Sequence, residues 1–138
     1  MSGGRQPVWV GRIAVTTLPA EVDIANAEQV RDDLLSVVTQ DASLVIADMT
    51  ATTFCDSAGV SALVRVARQA TAHRSGLRLA ASAPAVTQVL ALTGVDKLIG
   101  VYPSVAAALA DPGGDVAVEP APTAPGQADS EGRAPQPG

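Results

Sequence analysis

Aromatic residues are nearly absent from this chain of 138 residues: Trp9, Phe54 and Tyr102 are the whole set, 2% of the sequence. The core must therefore be aliphatic, and the aromatic platforms on which single-stranded nucleic acid is usually stacked are missing. Basic residues are also in short supply. Nine Lys and Arg against fourteen Asp and Glu leave a formal charge of -5, which argues against a phosphate-backbone partner. The single cysteine, Cys55, cannot close an intrachain disulfide, and with one histidine, His73, there is no Cys/His cluster of metal-ligand spacing. His73 falls on the late, polar part of a helical pattern, so a Ser-His or Cys-His nucleophilic pair is not indicated. No Gly-rich loop leads into a helix with a Walker lysine. Cys55-Asp56-Ser57-Ala58-Gly59 lacks the glycine two residues before Ser that a nucleophile elbow needs. No apolar run approaches the ~18 residues of a membrane helix; the longest candidate, Val86 to Val101, is broken by Gly94, Asp96 and Lys97. The polar start, Met1 to Pro7, does not read as an export signal. These absences predict a cytoplasmic protein that is not an enzyme and engages no nucleic acid, membrane, cofactor or metal. The scattered carboxylates of Asp23, Asp48 and Asp56 could hold a divalent cation, but caps and loop acids are the commoner use of such residues.

What is abundant is aliphatic: 47% of the chain is hydrophobic, and its length suits one packed domain. The most informative stretch runs from Leu44 to Val64. Leu44 to Met49 is a short apolar run bounded by polar residues, the form of a strand covered on both faces. A polar loop, Thr50 to Cys55, leads into a helical pattern with Val60, Leu63, Val64 and Ala67 on one face and Arg65 and Arg68 on the other. Ser57 falls at or beside the N-cap of that helix, where free N–H groups and the positive end of the dipole favour oxygen and negative charge. The plain reading of Ser57 is a capping residue.

The flanks complete an alternation of strands and helices. Val8-Trp9-Val10 and Ile13-Ala14-Val15, around Gly11-Arg12, predict one or two edge strands with a turn at the glycine, and Thr17 to Asp23 continues the extended pattern. Asn26 or Asp23 can cap a helix whose inner face is Ala27, Val30, Leu34, Val37 and Val38, ending near Gln40. The Ser57 helix runs to about Arg74, with Ser75-Gly76 as its stop. Leu77 to Ala81 predicts a strand, Ser82 with Pro84 a helix start, and Gly94 its end. Val95 to Tyr102 predicts a final short strand, and Pro103-Ser104 opens an Ala-rich helix to Ala110. From Asp111 the pattern is lost. Residues 111–138 hold five acids and one Arg, a net of -4, against nine acids and eight bases, a net of -1, in residues 1–110. That composition predicts a disordered acidic tail after a single domain at 8–110.

Asp48, Phe54, Asp56, Ser57, Ala58 and Gly59, in their strand, loop and helix, resemble the signature of the STAS family, the anti-sigma factor antagonists. Asp23 matches an acidic position before the first helix, although Ala20 stands where glycine is common, and the turn at Leu92-Thr93-Gly94-Val95 also fits the pattern. The resemblance covers Val8 to Ala110 and implies an α/β domain with a mixed central sheet flanked by helices. It implies that Ser57 is phosphorylated by a partner kinase, with Asp23, Asn26, Asp48 and Thr50 gathered around it at one end of the sheet. Asp56, Ala58 and Gly59 complete the implied partner-binding set, with Gly59 letting the partner come close to backbone. Each of the four gathered residues also has an ordinary use as a cap or loop polar. The implied function is an anti-sigma factor antagonist. Its unphosphorylated form binds an anti-sigma factor serine kinase of the histidine-kinase-like ATPase type and so releases a sigma factor; phosphorylation switches binding off and a serine phosphatase restores it. The alternative is a STAS adaptor in a stressosome or a lipid-transport complex.

Overall fold

A computed structural model describes residues 6–112. The predicted tail, apart from Asp111 and Pro112, lies outside the described residues. Among the described residues, seven strands and four helices alternate as expected of an α/β domain: β1 (Val8–Val10), β2 (Ile13–Thr17), β3 (Glu21–Val22), α1 (Ala27–Val38), β4 (Leu44–Asp48), β5 (Phe54–Cys55), α2 (Ser57–Ala72), β6 (Gly76–Ala80), α3 (Pro84–Leu92), β7 (Gly100–Tyr102) and α4 (Val105–Ala110). Five strands form one mixed sheet in the order β1-β2-β4-β6-β7. Only the β1–β2 hairpin is antiparallel, turning at Gly11 with φ 61°; β2, β4, β6 and β7 run parallel.

This order corrects one expectation at the N-terminus. β2 is not an edge strand but lies between β1 and β4, pairing Ala14 with Val45 and Thr16 with Ala47. Parallel strands need crossover helices, and these bury both faces of the sheet. The two faces are unequal. Ala14, Val45, Ala47, Leu77 and Leu79 meet the apolar sides of α1, α2 and α3 in the main core. Val15, Leu44, Ile46 and Ala80 form a smaller cluster under α4, around Ala108. The inner face read for α1 is the observed one, since Ala27, Val30, Leu34, Val37 and Val38 are all buried.

Other boundaries move for local reasons. α2 stops at Ala72, and Arg74 takes the left-handed conformation (φ 59°) that would suit glycine, with Ser75 N–H closing onto the Ala70 carbonyl at 2.7 Å. Gly76, expected as the stop, is already the first residue of β6. The strand expected over Val95 to Tyr102 divides into a single 3-10 turn at Val95–Lys97, entered through Gly94 at φ 81°, and the three-residue β7. The extended run from Thr17 to Asp23 narrows to the two residues of β3. This strand leaves the main sheet and pairs in parallel with β5, Val22 opposite Cys55.

That small second sheet is packed under the first turn of α2, and Gly59 permits the contact. A Cβ at Gly59 would lie 2.8 Å from Cys55 Sγ, 2.8 Å from Val22 Cγ1 and 3.1 Å from the Val22 carbonyl oxygen. Gly59 is therefore buried against β3 and β5, not turned toward a partner as the sequence reading supposed. On the far face, Arg78 of β6 is 2% exposed. It donates to the carbonyls of Ala108 and Asp111, the latter at 2.8 Å, so a buried guanidinium closes the end of α4. The Tyr102 ring lies 5.5 Å from the guanidinium carbon, and its hydroxyl bonds the Asp111 carboxylate.

Two predictions follow from this packing. Gly59→Ala should destabilise the domain by about 1–3 kcal/mol through overpacking, and Cys55→Ala in the same chain should recover part of the loss by removing the Sγ in its way. Urea unfolding of the two single variants and the double variant measures both, and an unchanged Gly59→Ala midpoint would show that the corner yields without strain. Arg78→Met keeps the aliphatic stem but leaves the two carbonyls without that donor, at a cost of about 1–3 kcal/mol. Wild-type stability in this variant would mean that α4 is held by its apolar contacts alone.

Candidate functional site

Asp56 makes the corner on which the site is built. Its N–H donates to the Val22 carbonyl (3.1 Å), its carbonyl accepts from Val60 N–H (3.0 Å), and its Oδ1 accepts from Gly59 N–H (3.1 Å). Its backbone is extended (φ −100°, ψ −173°), so Asp56 is the N-cap of α2. Ser57 is the first residue inside the helix, beside the cap and not the cap itself. Among the described residues its hydroxyl has no hydrogen-bond partner, and the residue is exposed. The capping explanation for this serine is thereby removed, because Asp56 does that work.

The residues expected near Ser57 arrive by two routes. Asp23 follows Val22, which is bonded to Asp56, so it flanks the corner directly. Asp23 Oδ1 accepts from Ala25 N–H (3.0 Å), and Asp23 N–H donates to Asn26 Oδ1 (3.0 Å). Asn26 Nδ2 in turn donates to the Glu21 carbonyl (2.7 Å). Asn26 occupies the N-cap position of α1, but its side chain is turned back into the turn and caps nothing. Asp48 and Thr50 stand at the other end of the loop, where β4 finishes. Asp48 Oδ1 accepts from both Thr50 N–H (3.0 Å) and Thr50 Oγ1 (2.6 Å). Their bonds are to each other and shape the start of the loop. Ala58 is half-buried, and Gly59 faces inward.

Two further residues at this end escaped the sequence reading as surface. Ile24 is 83% exposed at the tip of the Asp23–Asn26 turn, and Phe54, on β5, is 47% exposed. The available signal was an apolar side chain set among polar turn residues; periodicity cannot register it because the flanking strands have only two residues each. An exposed apolar pair beside an exposed hydroxyl is a surface suited to a protein partner.

The chemistry open to the corner is narrow. Burial, then the neighbouring Asp56 carboxylate, pushes the Cys55 thiol up to about 11, so it is neutral at ordinary pH and a poor nucleophile. His73 is exposed at the opposite end of α2, about 24 Å from Ser57 at 1.5 Å per residue. Among the described residues no group of three His, Cys, Asp or Glu is placed to hold a metal ion. None of the described helices is long and apolar enough to cross a membrane. Ser57 presents an exposed hydroxyl, and among the described residues no base is bonded to it.

The fold has known counterparts. An anti-sigma factor antagonist from Mycobacterium paratuberculosis superposes with a TM-score of 0.69 at 23% identity, over 75% of this chain and 88% of that one. The Bacillus cell fate determinant SpoIIAA, in its phosphorylated form, gives a TM-score of 0.58 at 24% identity, over 75% and 95%. The murine Solute Carrier 26 family member A9 anion transporter gives 0.60 at 22% identity, over 72% of this chain and 17% of the transporter. No curated protein sequence matches. The family model of the STAS domain matches residues 8–108, and the chain belongs to the STAS domain family.

Proposed function

We propose that this protein is an anti-sigma factor antagonist of the cytoplasm, a binding module and not a catalyst, switched by phosphorylation of Ser57. The observation that carries the proposal is the state of Ser57: exposed, without a hydrogen bond to the described chain, and held at a fixed corner beside Ile24 and Phe54. In the unphosphorylated form, Ile24, Phe54 and the small side chain of Ala58 offer a docking face to an anti-sigma factor serine kinase of the histidine-kinase-like ATPase type. Occupying the kinase frees its sigma factor. Asp23, Asn26, Asp48 and Thr50 hold the two loops that frame the face. The kinase supplies the base and the phosphate donor.

A phosphate on Ser57 adds about -1.5 to -2 charges at the centre of that face. Asp23 and Asp56 already carry negative charge beside it, so an apolar docking surface becomes a strongly acidic one. Because the hydroxyl bonds nothing within the described chain, modification leaves the fold's hydrogen bonds intact. A serine phosphatase resets the surface. Solved anti-sigma factor antagonists that share the fold support this reading.

The variants of Ser57 test it. Since Asp56 caps the helix, Ser57→Ala should change stability by no more than about 0.5 kcal/mol, the usual range for an exposed site. It should gain no phosphate and bind the kinase at least as well as wild type. Ser57→Asp, with less charge than a phosphate, should weaken binding by about tenfold, or ~1.4 kcal/mol. Purified candidate anti-sigma factor kinases, ATP, intact mass and complex formation provide the measurement. Phosphate at another residue, or an Asp variant that binds like wild type, would place the switch elsewhere.

A further inference from the structure

The Ser57 end of α2 continues into a stripe. At about 100° per residue, positions 57, 61, 65, 68 and 72 fall within about 80° of helix arc. Ser57, Ser61, Arg65, Arg68 and Ala72 are all exposed, whereas the opposite side of α2 is buried in the main core. Arg65 and Arg68 thus stand in line with Ser57, about 12 Å and about 17 Å further along the axis at 1.5 Å per residue. Among the described residues the salt bridges are those of Arg31, to Glu28 at 3.4 Å and to Asp32 at 3.5 Å; Arg65 and Arg68 take part in none.

The two arginines also form one wall of a groove. Arg65, Arg68 and Gln69 from α2 face Arg31, Asp32 and Leu35 from α1 across a space of about 300 Å³. Asp32 is already engaged by Arg31, so the unengaged charge of the groove is positive. The helix surface is therefore bipolar, with the carboxylates of Asp23 and Asp56 at the Ser57 end and two uncompensated guanidiniums at the other. A typical protein interface covers ~800 Å² per partner, a disc of about 16 Å radius. Centred on Ser57, such a footprint contains Arg65 and has its rim at Arg68.

We propose that Arg65 and Arg68 form the second half of the docking surface, and that the protein bound over Ser57 carries an acidic segment that enters the groove between α1 and α2. The proposal rests on the reading of Ser57 given above and adds the charge chemistry of the partner. A guanidinium with no partner of its own presents its fork of donors to a carboxylate. At the rim of an interface, such charges speed encounter and fix orientation more than they slow dissociation. With opposite signs at the two ends of the stripe, a partner rotated end for end meets like charges at both.

The test uses the full chain and purified anti-sigma factor kinases, with association and dissociation rates measured at 50 mM and 500 mM salt. R65E/R68E should lower the association rate by about tenfold or more at low salt, with dissociation changed less than about threefold and thermal unfolding unchanged, since both residues are exposed. At high salt the variant and wild type should converge to within about twofold. R65K/R68K, which keeps the charge, should retain the fast association at low salt. Equal rates for R65E/R68E and wild type at low salt would overturn the proposal while leaving Ser57 intact if S57D still weakens binding. If S57D binds like wild type but R65E/R68E does not, the groove stands and the Ser57 reading fails. A kinase that binds no form of the chain overturns both. Removal of residues 113–138 that speeds association in wild type, but not in R65E/R68E, would assign the groove to the chain's own acidic tail and also overturn the proposal.

Discussion

The three hydrogen bonds of Asp56 are the constraint on which the functional end of the domain depends. One ties the loop after β4 to β3, and the other two start α2. The bond to Val22 extends a seam that begins with Thr52 Oγ1 on the Pro19 carbonyl (2.8 Å) and Thr53 N–H on the Ala20 carbonyl (2.8 Å), and together these hold the two-residue strands β3 and β5 side by side. Without the bond to Gly59, the first turn of α2 loses a cap worth about 1 kcal/mol. The corner also dictates composition nearby. The helix must start close against β3 and β5, so the third residue of α2 has no side chain, and the neighbouring thiol is buried and kept neutral. Ser57, between the cap and that glycine, is left outside the packing, with no structural task in the described chain.

The rest of the domain makes this corner rigid. Four parallel strands carry it, and three helices cover their main face. Among the described residues, the other face is covered by the six residues of α4. A short helix has marginal stability alone, so its ends need fixing. Ser104 caps the start by accepting from Ala107 N–H at 3.0 Å, and Arg78 closes the finish from within the sheet. Placing a guanidinium in a parallel strand breaks the apolar run that such strands normally show. It is tolerated because carbonyls at the end of α4 accept its protons and Tyr102 covers it.

The parts legible in the sequence were those with several turns or several strand positions behind them. The inner face of α1 was named residue for residue, and β4 and α2 were placed within two residues of their observed ends, because burial imposes a period that a dozen positions report together. The failures have a common physical origin. β3 and β5 are too short to show alternation. Gly76 looked like a helix stop because glycine has no Cβ penalty in the left-handed region, yet Arg74 occupies that conformation, held by the Ser75 to Ala70 bond. At the site, Ser57 and Asp56 were both visible, but which of them caps the helix depends on backbone angles at one peptide. Gly59 was read as an exposed approach to a partner, when the close approach is to Cys55 and Val22 from inside. Ile24 and Phe54 could not be read as surface because their exposure follows from β3 pairing with β5, a contact between residues more than thirty positions apart in the chain.

The identity of the cap also decides what a phosphate at Ser57 would meet. A bare helix N-terminus carries about half a positive charge and free N–H groups, which would draw a phosphate inward and neutralise part of it. In this domain the Asp56 carboxylate already occupies Gly59 N–H and brings a full negative charge to the same turn. That carboxylate opposes the partial positive charge of the helix start, and Asp23 on the adjoining turn adds a second acidic group. The nearest arginine along the same face of the helix, Arg65, stands about two turns away. The phosphate's charge would face outward, where a partner must either supply cations or dissociate. Modification of a serine that served as the cap would remove the bond that starts the helix and change fold and surface together. With the cap on Asp56, a phosphate on Ser57 would change the surface charge and leave the bond that starts the helix in place.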